Sequence, residues 1–402
     1  MPAGAPPIQP ESVRQGAPAL LLRDLYLYWD LVRRNEVTLV QSGLVGKRWL
    51  KALNQVLLLP DPGLAGARTE KETGRLYLLR QLLHRLKLVE LRGHRLVCST
   101  QEIASIPAFW SLSQGEQVDA CLEAWGQVEG PLGPDPEASR YYPRYAAARR
   151  AVLAALKRVP AGIWMDPADF LDRIQNADPN FLFADHSDVE NYRGQWYHNY
   201  GSGYYSERTR DLLRAFEQAE AGFVESALSG IFFQLGVVEL GYQGEGWIAF
   251  RRPRDPSAAG PRPTMDDGKL IVQPNFQVMA MGPVSLGTLA HLDLFAERER
   301  ADQGVFEYRI SRESVYRGQQ SGIDATEIIQ FLQGGSQLDL PQNVLRSLEE
   351  WAARHERIVF RTGVSLLQAA DGALLDRLAG EGAIGRHLAR RLSPEVALIG
   401  QD

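Results

Sequence analysis

The sequence predicts an α+β chain: two successive blocks of helices closed by short hairpins, followed by a mixed α/β part. Three observations predict it. Apolar residues recur at helical spacing behind capping boxes at Thr69–Glu72, Ser113–Glu116 and Asp324–Glu327. Short β-branched pairs turn on glycine at Gly93-His94 and across Gly241–Gly246. Two stretches rich in Pro and Gly, 129–144 and 253–268, interrupt the pattern as linkers.

The first block spans 17–128. Leu21, Leu25, Tyr28, Trp29 and Val32 lie on one helical stripe, and Arg33-Arg34-Asn35 reads as its end. Val37–Val40 is a short strand, and a basic helix with Lys47, Arg48 and Lys51 follows Gly43 and Gly46. The Thr69–Glu72 box opens a helix to about Lys87 with Leu76, Leu79, Leu82, Leu83 and Leu86 inward. Leu88–Leu91 and Arg95–Ser99 then form a hairpin, and Ser113–Trp125 a trailing helix. Helix, short strand, helix, helix, hairpin is the order of a winged helix. Helices at Tyr145–Val159, Trp164–Ile174 and Glu217–Leu235 repeat that order in 145–252. Val237–Leu240 and Trp247–Phe250 close it as a second, degenerate winged helix. The expected class is therefore α+β, with tandem winged-helix domains followed by a mixed α/β domain over 269–402. In that last domain Lys269–Met279 is strand-like, Leu286–Arg300 helical, Phe306–Ile310 a strand, and Arg357–Arg361 a strand. Residues 1–16 read as a disordered tail, since Met1-Pro-Ala-Gly-Ala-Pro-Pro lacks the basic and apolar regions of a signal peptide.

Composition narrows the function. Apolar residues make up 45% and charged residues 23%, as in ordinary globular domains. No apolar run is long enough to span a bilayer. Cys98 and Cys121 are isolated, so neither a disulfide framework nor a zinc site is indicated, and a reducing cytoplasm fits. The net charge of -5 argues against indiscriminate coating of nucleic acid. Yet between Arg68 and Arg95 eight cations face three acids, a local charge of +5. The candidate nucleic-acid contacts are Lys47, Arg48 and Lys51 on the basic helix, then Arg68, Lys71 and Arg75 around the next helix start. Arg92, His94 and Arg95 would sit on the wing. Lys71 and Arg75, one turn apart, would share a face opposite the leucine stripe. The partner expected is double-stranded DNA. The alternative is a protein–protein scaffold whose winged helices bind no nucleic acid.

The segments Tyr308–Arg317, Gly322–Leu332, Leu340–Val344, Leu348–Trp351 and Arg357–Phe360, with Leu270–Val278 upstream, resemble the N-terminal domain of XPB-type helicases. The resemblance extends to bacterial helicase-associated proteins that carry this module. It implies an accessory role, with 269–402 docking a helicase or another protein, and it transfers no catalytic residue.

Other chemistry is thin. The nearest match to a phosphate-cradling loop, Gly43-Leu-Val-Gly-Lys47-Arg48, is one position short and lacks Ser or Thr after Lys47. No motor, no cofactor and no enzymatic activity are therefore expected. Asp185, His186, Asp188, Glu190 and His198 include metal-binding residue types, but at no standard spacing. The string Tyr192, Trp196, Tyr197, Tyr200, Tyr204, Tyr205 could stack single-stranded bases, or simply cover a core.

Overall fold

The computed structural model describes residues 8–99, 106–132, 144–179, 181–183, 218–254, 269–282, 284–302, 304–355, 365–380 and 387–399. Contacts divide the chain into a unit of residues 1–348 and a unit of residues 349–402. The mixed α+β class is as expected.

The tail reading of 1–16 is corrected over its second half. Ser12–Gln15 forms β1, antiparallel to β5 (Glu239–Gln243), which also pairs with β6 (Gly246–Arg251). Gln15 donates to Glu239, and the Arg14 guanidinium lies over the Tyr242 ring. Gly16 follows where the chain presses on the end of a helix. A Cβ there would fall 1.5 Å from the Phe233 carbonyl oxygen.

The first block contains α1 (Pro18–Arg34), β2 (Val37–Thr38), α2 (Lys47–Val56), α3 (Arg75–Arg85), β3 (Val89–Arg92) and β4 (Arg95–Cys98). Its sheet order is β2-β4-β3, and α4 (Gln114–Gly126) starts on a complete Ser113–Glu116 capping box. The second block repeats the order. α5 (Tyr145–Arg158) leads to Met165, which bridges to Phe250 of β6 as β2 pairs with β4. Then come α6 (Pro167–Ala177), started by Asp166 as cap, and α7 (218–234), before the β5–β6 hairpin. Leu228–Phe232 of α7 is a π-helical turn, kinked at Gly230.

From 269 the chain forms an antiparallel sheet in the order β7-β8-β10-β9. Its strands are β7 (Lys269–Val272), β8 (Gln277–Met281), β9 (Glu297–Ala301) and β10 (Val305–Arg309). α8 (Leu286–Phe295) connects β8 to β9. α9 (Arg312–Gln320), α10 (Ala325–Gly335) and α11 (Gln342–His355) follow. The helix expected over Leu286–Arg300 stops at Phe295. Ala296 turns extended, and Glu297–Ala301 becomes a strand because β10 offers it a ladder. The strand expected at Arg357–Arg361 lies outside the described residues. The unit of residues 349–402 contains a sheet β11-β13-β12, made of β11 (Ser365–Gln368), β12 (Leu388–Ser393) and β13 (Val396–Ile399). α12 (Gly372–Gly380) packs Leu375 against Ala369 and Ala397.

α1 carries the architecture of the larger unit. Leu25, Trp29 and Val32 belong to the apolar stripe, but Arg23, Asp24 and Asp30 are buried too. Arg23, Tyr26, Asp30 and Arg34 recur at helical spacing and meet the sheet that begins at 269. Arg23 donates to the Gly282 carbonyl oxygen, and Tyr26 donates to Asp293 of α8. Asp30 accepts from Arg33 (2.8 Å), Arg34 (2.9 Å) and Arg298 of β9 (2.8 Å). Arg298 and Arg34 also hold Asp293. Burial alone would raise the Asp30 carboxyl, but Arg298, Arg34 and Arg33 outweigh it and hold it down at about 2. Asp293, wholly enclosed, is pushed up by burial and by its neighbour Asp30.

Four outcomes follow from this packing. Gly16→Ala lowers the chemical-denaturation midpoint, at a cost of about 1–3 kcal/mol. Gly74→Ala, which meets nothing within 4 Å, leaves it unchanged or slightly raised. Arg298→Met leaves two buried carboxylates short of a cation and costs about 3 kcal/mol by the same measurement. The Asp30 contribution is fully present above the ordinary carboxylate pKa, near pH 4, and is lost as pH falls toward about 2. Asp293, shifted the other way, gains stability on protonation and does not add to that loss. An acid titration of the midpoint should therefore fall less steeply in Asp30→Asn than in the parent.

Candidate nucleic-acid interface

α2 places three cations in solvent. Leu50 and Leu53 point into the block, and Lys47, Arg48 and Lys51 stand exposed on a helix whose sequence, Lys47–Val56, contains no acid. Trp49 fixes the helix against the sheet: its Nε1 donates to Thr38 Oγ1 at 3.1 Å. Thr38 is paired with Arg95 across the β2–β4 ladder, and Leu39 N donates to the His94 carbonyl oxygen. Trp49 and Thr38 thereby tie α2 to the strand that pairs with the hairpin.

The hairpin turns at Gly93-His94, with Gly93 at φ 56, where a Cβ is disfavoured. Arg92, His94 and Arg95 are exposed. Arg92 pairs with Glu90, and Arg95 pairs with Glu36 at 2.9 Å. All four of those side chains are reached by water, so the pairs are weak, ~0–1 kcal/mol each, and exchangeable for phosphate.

The segment between α2 and α3 differs from the sequence expectation. Glu72 does accept from Arg68 N and Thr69 Oγ1, but the turn it closes is a single 3-10 turn, Glu70–Glu72. α3 begins only at Arg75, where Asp61 caps it from a distance by accepting from Arg75 N (2.7 Å) and Leu76 N (3.0 Å). Lys71 and Arg75 therefore do not share a helical face. Lys71 and Arg68 are exposed, and Arg75 turns inward. Its guanidinium is held by Asp24 of α1 and donates to Gln234 of α7 at 2.5 Å. Arg80 is likewise buried against Glu70, which also accepts from Val45 N. Burial pushes the carboxyls of Asp24 and Glu70 up, with Arg75 and Arg80 respectively opposing it. Withdrawing either arginine would strand a buried carboxylate, a cost of several kcal/mol that a phosphate contact does not offset.

Of the nine sequence-predicted contacts, the structure leaves Lys47, Arg48 and Lys51 exposed on α2 and Arg92, His94 and Arg95 exposed on the hairpin. It leaves Arg68 and Lys71 exposed on the preceding loop, and it turns Arg75, half-buried, in toward Asp24. The partners Asp24, Glu70 and Asp61 were not anticipated. Their only signal was an acid at a core-facing spacing, which reads equally as a solvated face.

Among the described residues no group of three His, Cys, Asp or Glu is arranged to hold a metal. The Asp185–His198 loop and the Tyr192–Tyr205 string lie outside the described residues. Burial pushes both Cys98 and Cys121 up to about 12, so neither is a ready nucleophile. No helix among the described residues is long and apolar enough to cross a membrane.

Residues 270–393 match the family described as the helicase conserved C-terminal domain. Over 141 residues, 34% of the chain, the sequence is 28% identical to a DNA 3'-5' helicase XPB of Mycobacterium tuberculosis. Over 140 residues it is 26% identical to a DNA 3'-5' helicase XPB of Kineococcus radiotolerans. The chain spans 26% and 25% of those two proteins, about a quarter of their length. The sheet packed on α1 thus opens a helicase-related segment, as the resemblance implied. The expectation that the chain is not an enzyme is corrected: the matching family is a helicase domain and both relatives are helicases, which points toward a helicase-type enzyme.

Proposed function

We propose that the chain works in a helicase-type enzyme and that its first block, a winged helix, engages duplex DNA through phosphates. The element order helix, strand, helix, helix, hairpin and the β2-β4-β3 sheet support the winged-helix reading, and the second block repeats the order with Met165 as its short strand. The observation that carries the proposal is the Trp49–Thr38–Arg95 connection, which ties the acid-free helix α2 to the basic hairpin. Lys47, Arg48, Lys51, His94 and Arg95 form the contact, with Arg92 beside them. Arg68 and Lys71 reach flanking phosphates. The helicase-related segment from 269 onward serves as the docking module toward the remaining helicase machinery.

The second reading is a protein-binding surface. It rests on the pairing of five arginines of the basic run with acids: Arg75, Arg80, Arg85, Arg92 and Arg95. Two of those pairs are buried, and they subtract from the field a phosphate would feel.

Fluorescence anisotropy with a labelled duplex separates the two. If about four phosphates are neutralised, a fourfold rise in salt weakens binding roughly 100-fold, a slope of about −0.9 per phosphate. Lys47→Glu/Arg48→Glu/Lys51→Glu should weaken binding by more than about tenfold and flatten that slope. Salt-independent binding, or unchanged affinity in the triple variant, transfers the surface to a protein partner.

A further inference from the structure

In a winged helix the third helix is the element that enters the major groove and meets base edges. Here neither third helix is equipped to do so. On α3 every residue from Leu76 to Arg80 is buried, as are Leu82 and Leu83. Of the three α3 arginines, Arg75 and Arg80 are committed to Asp24 and Glu70, and Arg85 sits in the last turn, 3.8 Å from Glu129. His84 is exposed only at the last turn, with its Nδ1 3.3 Å from the Val89 carbonyl oxygen. In the second block α7 occupies the same place in the order. It presents Gln218, Glu225 and Ser226 to solvent and contains no lysine or arginine over 218–234. Arg75 donating to Gln234 further ties the start of α3 to the end of α7.

The second helices differ just as sharply. α2 exposes Lys47, Arg48 and Lys51. α6, its counterpart, exposes Asp169 and Asp172 with a single cation, Arg173, and Asp166 stands at its N-terminus. The hairpin tips follow suit. The first bears Arg92, His94 and Arg95, whereas the second, Gln243–Gly246, bears Glu245, and its Gly244 N is already taken by the Glu11 carboxylate. A polyanion approaching α6 or the second hairpin tip would meet like charge, and exposed cations of this block, Arg150, Lys157 and Arg158, lie on α5 instead.

We infer that the duplex is held by the first block alone and by its phosphates alone, so that binding is indifferent to base sequence and the second winged helix makes no nucleic-acid contact. The inference rests on the duplex-binding reading above and sharpens what that surface recognises. Base discrimination needs side chains aimed at donor and acceptor edges, and the buried arginines of α3 supply none. Phosphate contact needs only exposed cations on a rigid element, and α2 with the first hairpin supplies those.

A panel of duplexes of equal length and unrelated sequence, titrated with the full chain at one salt concentration, tests it. Affinities should agree within about threefold, where a base-reading protein separates its site from others by ~1,000-fold or more. Arg173→Glu should leave affinity unchanged, while Lys47→Glu/Arg48→Glu/Lys51→Glu weakens it on every duplex equally. A strongly preferred sequence, with the triple variant still defective, overturns the inference and leaves the duplex-binding reading intact. A loss in Arg173→Glu comparable to that of the α2 variants also overturns it, because both blocks would then be engaged. No binding to any duplex overturns both. Circular dichroism of each variant separates a binding defect from misfolding.

Discussion

The larger unit depends on two buried carboxylates sharing guanidinium groups. Asp30 of α1 and Asp293 of α8 are both enclosed, and Arg298 bonds to each. Removing such ions from water costs several kcal/mol apiece, which only close geometry and full hydrogen bonding can offset. The geometry is close: Arg34 also bridges both acids, Arg33 completes Asp30, and the Tyr26 and Tyr308 hydroxyls turn toward Asp293. The result specifies more than it stabilises. An apolar seam tolerates sliding by a residue, but this cluster is satisfied in one register of α1 against α8 and β9. The helix that anchors the basic block is thereby also a wall of the helicase-related sheet, and the two cannot rotate freely about a linker.

The same contrast between buried and exposed ion pairs decides which cations reach a ligand. Arg75 and Arg80 lie in the basic run, but each neutralises a carboxylate that has no water to fall back on. Their charges hold the block together: Asp24 also receives Leu58 N, and Glu70 receives Val45 N, so each arginine anchors a loop through its acid. Arg92 and Arg95 pair with glutamates that remain wet, where the partner can be exchanged at almost no cost. A local charge counted along the sequence treats these cases alike. The folded chain does not.

Much of the fold was legible because its signals are local. The Ser113 and Asp324 capping boxes form as written, and each starts a helix where the spacing predicts one. The Gly93-His94 turn closes the first hairpin as expected. The misreadings share a cause: the missing partner is distant in sequence. Thr69–Glu72 has the letters of a capping box, but α3 takes its cap from Asp61 and so begins three residues after Glu72. Glu297–Ala301 continues a helical pattern, yet β10 captures it as a strand. Ser12–Gln15 sits beside a Pro-rich start and pairs with β5 more than two hundred residues away. The polar face of α1 is the sharpest case. Arg23, Asp24 and Asp30 make the helix look half-solvated, and only the second surface packed against it reveals them as interior. For the candidate site, the α2 lysines and the hairpin basics could be read directly, while the fate of Arg75 could not.

The two blocks then illustrate what a repeated topology leaves undetermined. Each has a helix, a short strand or bridge, two further helices and a hairpin, and in each the last hairpin strand receives the short one. Their buried positions are interchangeable in kind: Leu50 and Leu53 in α2, Phe170 and Ile174 in α6. Burial constrains only that inner face. The outer face is free to diverge, and it has done so to opposite charge, Lys47, Arg48 and Lys51 against Asp169 and Asp172. The third helices are held more closely, α3 by α1 and α4, and α7 at its C-terminal end through Gln234 and the edge-on contact of Phe232 with Trp125. A helix wrapped this way trades its freedom to vary for a structural role, so whatever distinguishes the blocks in binding has to be written on the second helices and the hairpin tips.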